Sequence, residues 1–366
     1  MSTSGGQRPF RPLTAVREPV LDSLEDFQFA VSGEARLTLP GMPIPHKTRE
    51  IMREIRLIRP AFVLYTGDSV WGYDSGRQEF LNELDRFRSL ADSTGVPLFN
   101  APGNHEMRTS EEGIRLIQEQ GQDLYGSFDV GNYHFVALNT DEFWKEGRVA
   151  DEQMDWLRTD LAVHRDASAV FVFMHRPMFS WFQGDFNPDD AETLQQLFRT
   201  HGVRTVFASH DHFFHHEQED GIDYLTVGGG GAPLYAPPQN GGFSHYVLVT
   251  VRPDGVDYGV IEPGHLTVEH VAGNDGVEPL TIARVANTSD RDLRVRNLEL
   301  RVPRLASTDE YELSVEYVDW ERKQSYAAPR LRSVNDLGDG SVRLGVEIEV
   351  PTGVAFRVVA EARLQQ

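Results

Sequence analysis

Four stretches of the chain end an apolar run in a short loop that holds potential metal ligands. They are LYTGDSVW with Asp68, FNAPGNHEM with Asn104 and His105, VFMHRPMF with His175, and VFASHDHF with His210 and His212. A fifth, FAVSGEARL, puts Glu34 and Arg36 at the same point of the pattern. Each has a plain alternative. An Asp after Gly at a strand end is commonly a turn or a cap, His before Arg-Pro a hydrogen-bonded strand end, Asn-His after Pro-Gly a turn, and His-Asp-His a solvated loop. Together they carry more weight, because ligands of open α/β sheets gather outside the carboxyl ends of the strands, and all these loops would meet on that edge. Extended, His210 and His212 point the same way about 7 Å apart, and so can serve two metals about 3.5–4 Å apart, the spacing of binuclear hydrolytic sites.

The composition narrows the ligand chemistry. The chain has no cysteine, so thiolates, disulfides and thiol nucleophiles are excluded and any metal is held by oxygen and nitrogen. Its formal charge of −21 repels phosphate backbones, which argues against a nucleic-acid partner; a local cationic centre can still draw in a small anion. The N-terminal MSTSGGQRPFRPLTAVREPV has no apolar core of signal-peptide length, and nothing elsewhere reaches the roughly 18 apolar residues of a membrane span. A cytoplasmic protein with no membrane partner is expected.

The elements that must position these loops are legible as an alternation. From residue 27, short apolar runs alternate with helical ones, the signature of βα units. HKTREIMREIRLI sets Ile51, Ile55 and Ile58 on one helical face, and Pro60 closes it before the strand AFVLYT. After residue 213 hairpin signals replace the helical period, Asp220-Gly221 among them, and a second sheet is expected there. At 366 residues two domains are expected: an N-terminal extension over 1–26, an α/β domain over 27–261, a turn-rich connector over 262–278, and a small all-β sandwich over 279–366. In the last, YELSVEYV and SVRLGVEIEV alternate strictly and Gly338 to Gly340 mark a turn.

The motifs GD at 67–68, GNHE at 103–106, the strand-end His175 and HDH at 210–212 resemble, in order and interval, those of the calcineurin-like metallophosphoesterase family. The resemblance covers residues 27–261. It implies a four-layer α/β/β/α sandwich bearing a binuclear centre of divalent ions (manganese, iron or zinc) on the sheet edge. By the same resemblance Asp68 bridges both ions, Asn104, His175 and His210 complete the shell of the second, His212 binds the first, and His105 contacts phosphate and protonates the leaving oxygen. Ser209 stands where the family has the glycine of its GHxH motif, a neutral change unless that glycine needs positive φ.

The first motif departs. Glu34-Ala35-Arg36 replaces Asp-x-His. Glu34 still offers a carboxylate, whereas Arg36 has only donors and cannot be a ligand. The second ion keeps four protein ligands and the first at most Glu34, Asp68 and His212. One ion or two are therefore open, with Arg36 able to supply positive charge to phosphoryl oxygens through its fork. The implied activity is metal-dependent hydrolysis of a small phosphomonoester or phosphodiester, water activated by the metal attacking phosphorus. A catalytically impaired relative that keeps one structural ion and binds a phosphorylated ligand or a protein partner is the alternative. No partner for the β-sandwich can be named.

Lesser signals are weighed against plain readings. VGGGGAPLY lacks the P-loop spacing and reads as a tight turn. Trp71, Tyr73, Trp181, Phe182 and Tyr235 follow motif loops and either line the substrate mouth or pack. SWFQGDFNPDD is a candidate lid; His215 and His216 read as a solvated hairpin, and Asp141 and Glu142 as caps or turn residues.

Overall fold

The computed structural model describes residues 10–19, 21, 23–108, 110–180, 185–307, 310–317 and 328–363. Trp181 and Phe182, with residues 183 and 184 of the candidate lid, lie outside them. The chain forms two compact units, residues 1–52 with 60–260 and residues 53–59 with 261–366.

The first unit opens with β1 (Phe27–Ser32), α1 (His46–Ile58), β2 (Val63–Tyr65), α2 (Arg77–Asp92), β3 (Leu98–Asn100), α3 (Asn104–Met107) and α4 (Glu111–Glu119). It continues with β4 (Gly126–Val130), β5 (Tyr133–Ala137), a hairpin of β6 (Asp141–Glu142) and β7 (Lys145–Glu146), α5 (Asp151–Val163), β8 (Ala169–Phe173), α6 (Pro188–Thr200) and β9 (Val203–Ala208). β10 (Phe214–Glu219), β11 (Ile222–Val227), β12 (Tyr246–Arg252) and β13 (Gly255–Ile261) complete the set. Five strands form one sheet, β13-β12-β1-β2-β3, and six the other, β10-β11-β9-β8-β5-β4. Each contains a run of parallel strands, β1-β2-β3 in the first and β11-β9-β8-β5 in the second.

The sheets meet through aromatic rings. Phe29 of β1 lies 5.5 Å from Phe135 and from Phe171, Phe62 lies 5.1 Å from Phe135, and Phe99 stacks on Phe128 at 3.8 Å. All are fully buried or nearly so, and replacing one by Ala would cost about 3–5 kcal/mol. Outside the second sheet, Leu157 and Leu161 of α5 and Leu194 and Phe198 of α6 cover Val136, Val172 and Val206. On the first, Phe87 of α2 packs on Tyr65. This is the expected α/β/β/α sandwich, and strands covered on both faces explain the unbroken apolar runs.

Two features differ from the sequence reading. The hairpins after residue 213 add no sheet of their own: β10-β11, turned by Asp220 and Gly221 at φ 53° and 80°, extends the second sheet, and β12-β13 extends the first. The stretch before residue 27 also enters the core. Phe10 is buried against Phe99 and Phe173, its N–H donates to Ser127 O, and Leu13 N–H donates to Leu98 O. Residues 10–14 thereby bond edge strands of both sheets, β4 and β3, whose free backbone groups would otherwise invite pairing.

The second unit contains β14 (Leu266–Ala272), β15 (Leu280–Asn287), β16 (Leu293–Pro303), β17 (Tyr311–Tyr317), β18 (Arg330–Asp336), β19 (Ser341–Val350) and β20 (Val354–Ala362). They form sheets β14-β15-β20-β17 and β16-β19-β18, the small β domain that the alternation predicts. β14 lies inside the stretch whose turn formers suggested a connector, because Leu266, Val268 and His270 pair with Asn287, Val285 and Ala283 of β15. No helix among the described residues is long and apolar enough to cross a membrane.

Candidate metal centre

Every loop with a candidate ligand leaves the end of a parallel strand: Glu34 after β1, Asp68 after β2, Asn104 and His105 at the start of α3 after β3, His175 after β8, and His210 and His212 after β9. Three of these residues, Glu34, Asp68 and His210, hold left-handed backbone at φ 64°, 59° and 64°. Such strain, about 1–3 kcal/mol each, collects at functional sites. Glu106 holds the Asp68 turn: its carboxylate accepts the N–H groups of Asp68, Ser69 and Gly103 and the Ser69 hydroxyl, at 2.5–2.9 Å. Gly103 cannot be replaced, since a Cβ there would fall 2.3 Å from Asp68 Oδ1.

The histidine tautomers are set by backbone carbonyls. His175 Nδ1–H donates to Thr66 O at 2.8 Å and His212 Nδ1–H to Pro233 O at 2.6 Å, while His105 Nδ1–H donates to Trp71 O. The Nε2 lone pairs therefore face inward, the arrangement in which metal-binding histidines are normally held. His175 Nε2 lies 2.8 Å from Asn104 Oδ1, 3.1 Å from His210 Nδ1 and 3.4 Å from Asp68 Oδ1, and His210 Nδ1 lies 3.1 Å from Asn104 Oδ1. Asn104 is oriented by its amide N–H, which donates to Tyr73 Oη at 2.5 Å. Asn104 Oδ1 and His175 Nε2 are both acceptors, so their approach is repulsive until a cation lies between them. With metal–ligand bonds of about 2.0–2.2 Å, these separations suit one shared ion.

A second group gathers beside the first. Glu34 is fully buried, its Oε1 accepting His210 N–H at 2.7 Å. Its Oε2 lies 2.9 Å from His212 Nε2 but makes no hydrogen bond. An orphaned carboxylate oxygen facing an imidazole lone pair fits a metal. Glu34, Asp68, Asn104, His175, His210 and His212 are thus brought together as the motifs implied.

Burial sets the charge states. It lowers His175 and His105 to about 4 and, helped by His175 and Arg176, His210 to about 3, so all three imidazoles are neutral at pH 7. Asp68 is pushed well up, by burial first and then by Glu34 and Glu106. Glu34 is fully buried beside it, and its charge is among the causes that raise Asp68. Two crowded buried carboxylates of this kind call for a compensating cation.

Arg36 stands at the mouth. Its Nη2 donates to Tyr235 Oη at 2.9 Å, its guanidinium lies 5.8 Å from the Trp71 ring, and its charge is felt at Asp68 and His105. The Tyr235 ring stacks on His212 at 3.9 Å and the Tyr73 ring meets His105 edge-on at 4.5 Å. His105 Nε2 lies 3.7 Å from Asp68 Oδ2.

Ser209 does not adopt positive φ, so no glycine is demanded there. Its hydroxyl donates to Thr66 O at 2.7 Å, the carbonyl that orients His175. The glycine run at 228–230 is a packing device: Cβ atoms would fall 1.9 Å from Asp211 O, 2.2 Å from His245 Nδ1 and 1.8 Å from Gly33 O. His215 and His216 lie on β10 beside Glu217 and Asp223, apart from the ligand set. Asp141, read from sequence as a cap or turn residue, is buried and accepts Arg176 Nε at 2.7 Å, and Arg176 Nη1 lies 3.1 Å from His210 Nε2. That pair went unread because its members lie 35 residues apart, Arg176 inside the VFMHRPMF stretch and Asp141 outside every motif.

Another His–carboxylate group lies on β4, β5 and α5. His134 Nδ1 is 2.7 Å from Asp129 Oδ1 and Nε2 is 2.8 Å from Asp160 Oδ2; His164 Nδ1–H donates to Asp160 O, and its ring stacks on His134 at 3.7 Å. Burial disfavours a charged His134, but the two carboxylates outweigh it and raise its pKa.

The calcineurin-like phosphoesterase model matches residues 44–214, beginning after the divergent Glu34-Ala35-Arg36. The chain is 29% identical over 196 residues to the serine/threonine-protein phosphatase CPPED1 of Danio rerio, covering 48% of this chain and 62% of that protein. It is 28% identical over 160 residues to purple acid phosphatase 23 of Arabidopsis thaliana, covering 37% of this chain and 34% of that protein. The chain therefore spans less than two thirds of either relative. The structure of purple acid phosphatase PPD1 from yellow lupin (Lupinus luteus) superposes with a TM-score of 0.52 at 17% identity, covering 75% of this chain and 54% of that one, which supports the fold. The ligand loops, the layered sheets and the matched segment agree: over residues 44–214 this chain matches the calcineurin-like phosphoesterase family.

Proposed function

We propose that the chain is a metal-dependent phosphohydrolase acting on a small phosphomonoester or phosphodiester. The observation that carries this reading is the convergence of acceptor atoms on acceptor atoms, His175 Nε2 on Asn104 Oδ1 and His212 Nε2 on Glu34 Oε2, with His105 and Arg36 beside them. A divalent ion held there supplies charge for the phosphoryl oxygens and lowers the pKa of water for attack.

The chain's own residues do the rest. Asp68, Asn104, His175 and His210 would hold one ion, and Glu34 and His212, with Asp68, a second or weaker one. Arg36 presents its fork to phosphoryl oxygens and stands in for charge at that weaker position. His105 Nε2 carries no proton in the free protein, since burial holds its pKa to about 4. It therefore acts by relaying the proton of an ester monoanion, whose second pKa is about 6, to the leaving oxygen.

The test is turnover of p-nitrophenyl phosphate and bis-p-nitrophenyl phosphate with manganese, zinc or iron(II), on the native chain and Asp68→Asn. Metal-dependent turnover lost in the variant is the expected result. Metal bound with no turnover would replace this reading with a phosphate-binding relative, which the Arg36 departure favours.

A further inference from the structure

On the basis of that hydrolytic reading, we propose that the leaving group is an alcohol carrying a planar aromatic ring, seated against Tyr73 and Tyr235. Among the described residues of the first unit, eight large apolar side chains are exposed. Five of them, Leu39, Met42, Tyr73, Leu234 and Tyr235, lie on loops that carry or brace the ligands, the others being Leu24, Trp144 and Val163. An enzyme that met only a hydrophilic phosphate ester would gain nothing from an apolar rim there.

The rings are also presented in a particular way. Tyr235 lays one face on His212 and is 49% exposed; Tyr73 sets its ring against His105 and is 36% exposed. Both hydroxyls are engaged within the site, Tyr235 Oη by Arg36 and Tyr73 Oη by the Asn104 amide. What these residues offer a substrate is therefore ring surface rather than a hydrogen-bond donor. Because His105 stands 4.5 Å from the Tyr73 ring and 5.5 Å from Trp71, that surface adjoins the leaving oxygen, where the organic part of the ester must lie. Arg36, held between Tyr235 and Trp71, fixes the phosphoryl end beside it.

Benzylphosphonate and cyclohexylmethylphosphonate share charge and reach and differ in whether the ring is planar. Titration calorimetry of both into the manganese-loaded protein reads the preference directly. Aromatic stacking adds a roughly three- to tenfold tighter Kd for the benzyl compound. Tyr235→Phe keeps that ratio, whereas Tyr235→Leu and Tyr73→Leu bring it toward one. A ratio of one or below in the native protein, or a ratio that survives both Leu variants, overturns the proposal. Turnover of p-nitrophenyl phosphate in the same preparations reads the hydrolase separately. A ring preference without turnover sinks the hydrolase alone, turnover with equal Kd values sinks the ring preference alone, and binding of neither phosphonate sinks both.

Discussion

Two groups of histidines and carboxylates occupy the first unit, and they are built from the same residue types to opposite ends. Around Asp68 the ring N–H groups of His175 and His212 are spent outward on carbonyls, so that lone pairs meet Asn104 Oδ1 and Glu34 Oε2. Around His134 both ring nitrogens meet carboxylates at 2.7 and 2.8 Å, a geometry that a doubly protonated imidazole satisfies by itself. The first group sets acceptor against acceptor, which an imported cation would relieve; the second can take its positive charge from a proton. The near-parallel stacking of His134 on His164, at an interplanar angle of 15°, also sets their in-plane lone pairs side by side rather than toward a common point. Residue type therefore nominates a metal site, and the tautomer imposed by neighbouring carbonyls and carboxylates decides it.

The contrast is open to attack, first through catalysis. Asp68→Asn, which removes the carboxylate shared by the ligand set, lowers p-nitrophenyl phosphate turnover more than hundredfold, beyond the ~10–100-fold that outer-sphere changes cost. His105→Gln lowers kcat on an alkyl phosphate by about a hundredfold, the lower end for a lost proton donor, and much less on p-nitrophenyl phosphate, whose leaving group needs no proton. Glu106→Gln replaces no candidate ligand, yet weakens the turn that presents Asp68, and is expected to cost about 10–100-fold in metal affinity.

The smallest effect belongs to the other group. His134→Asn leaves kcat unchanged and costs about 1–3 kcal/mol of stability by leaving buried carboxylate unpaired, read by urea denaturation. The folded pKa of His134 is raised, so its contribution is fully present below the unfolded value of about 6.5 and is lost as pH rises through the folded value. The stability gap between native protein and variant narrows from pH 6 toward pH 9; a gap that widens would refute the imidazolium.

Much of the architecture was legible because it rests on local pattern. Apolar runs such as AVFVF mark strands covered on both faces, strict alternation in SVRLGVEIEV puts Val342, Leu344, Val346, Ile348 and Val350 together on a buried face, and the ligand motifs sit at strand ends where parallel topology gathers them. What escaped depends on contacts distant in sequence. Phe10 entering the aromatic core, β14 paired with β15, the Asp141–Arg176 pair, and Arg36 seated on Tyr235 across 199 residues leave no periodic trace. The orienting acceptors of His175, His212 and His105 are main-chain carbonyls of Thr66, Pro233 and Trp71, which no side-chain motif can announce. Glu106 stood within a quoted motif, but its role appears only when the Asp68 and Gly103 loops are side by side.

The most direct test of the central claim is the metal content of the native chain, Asp68→Asn and His134→Asn after equilibrium dialysis against manganese, measured by elemental mass spectrometry. The account predicts that bound ion is retained by the native chain and His134→Asn and lost from Asp68→Asn. Ion retained by Asp68→Asn, or lost from His134→Asn while that variant remains folded, would contradict it.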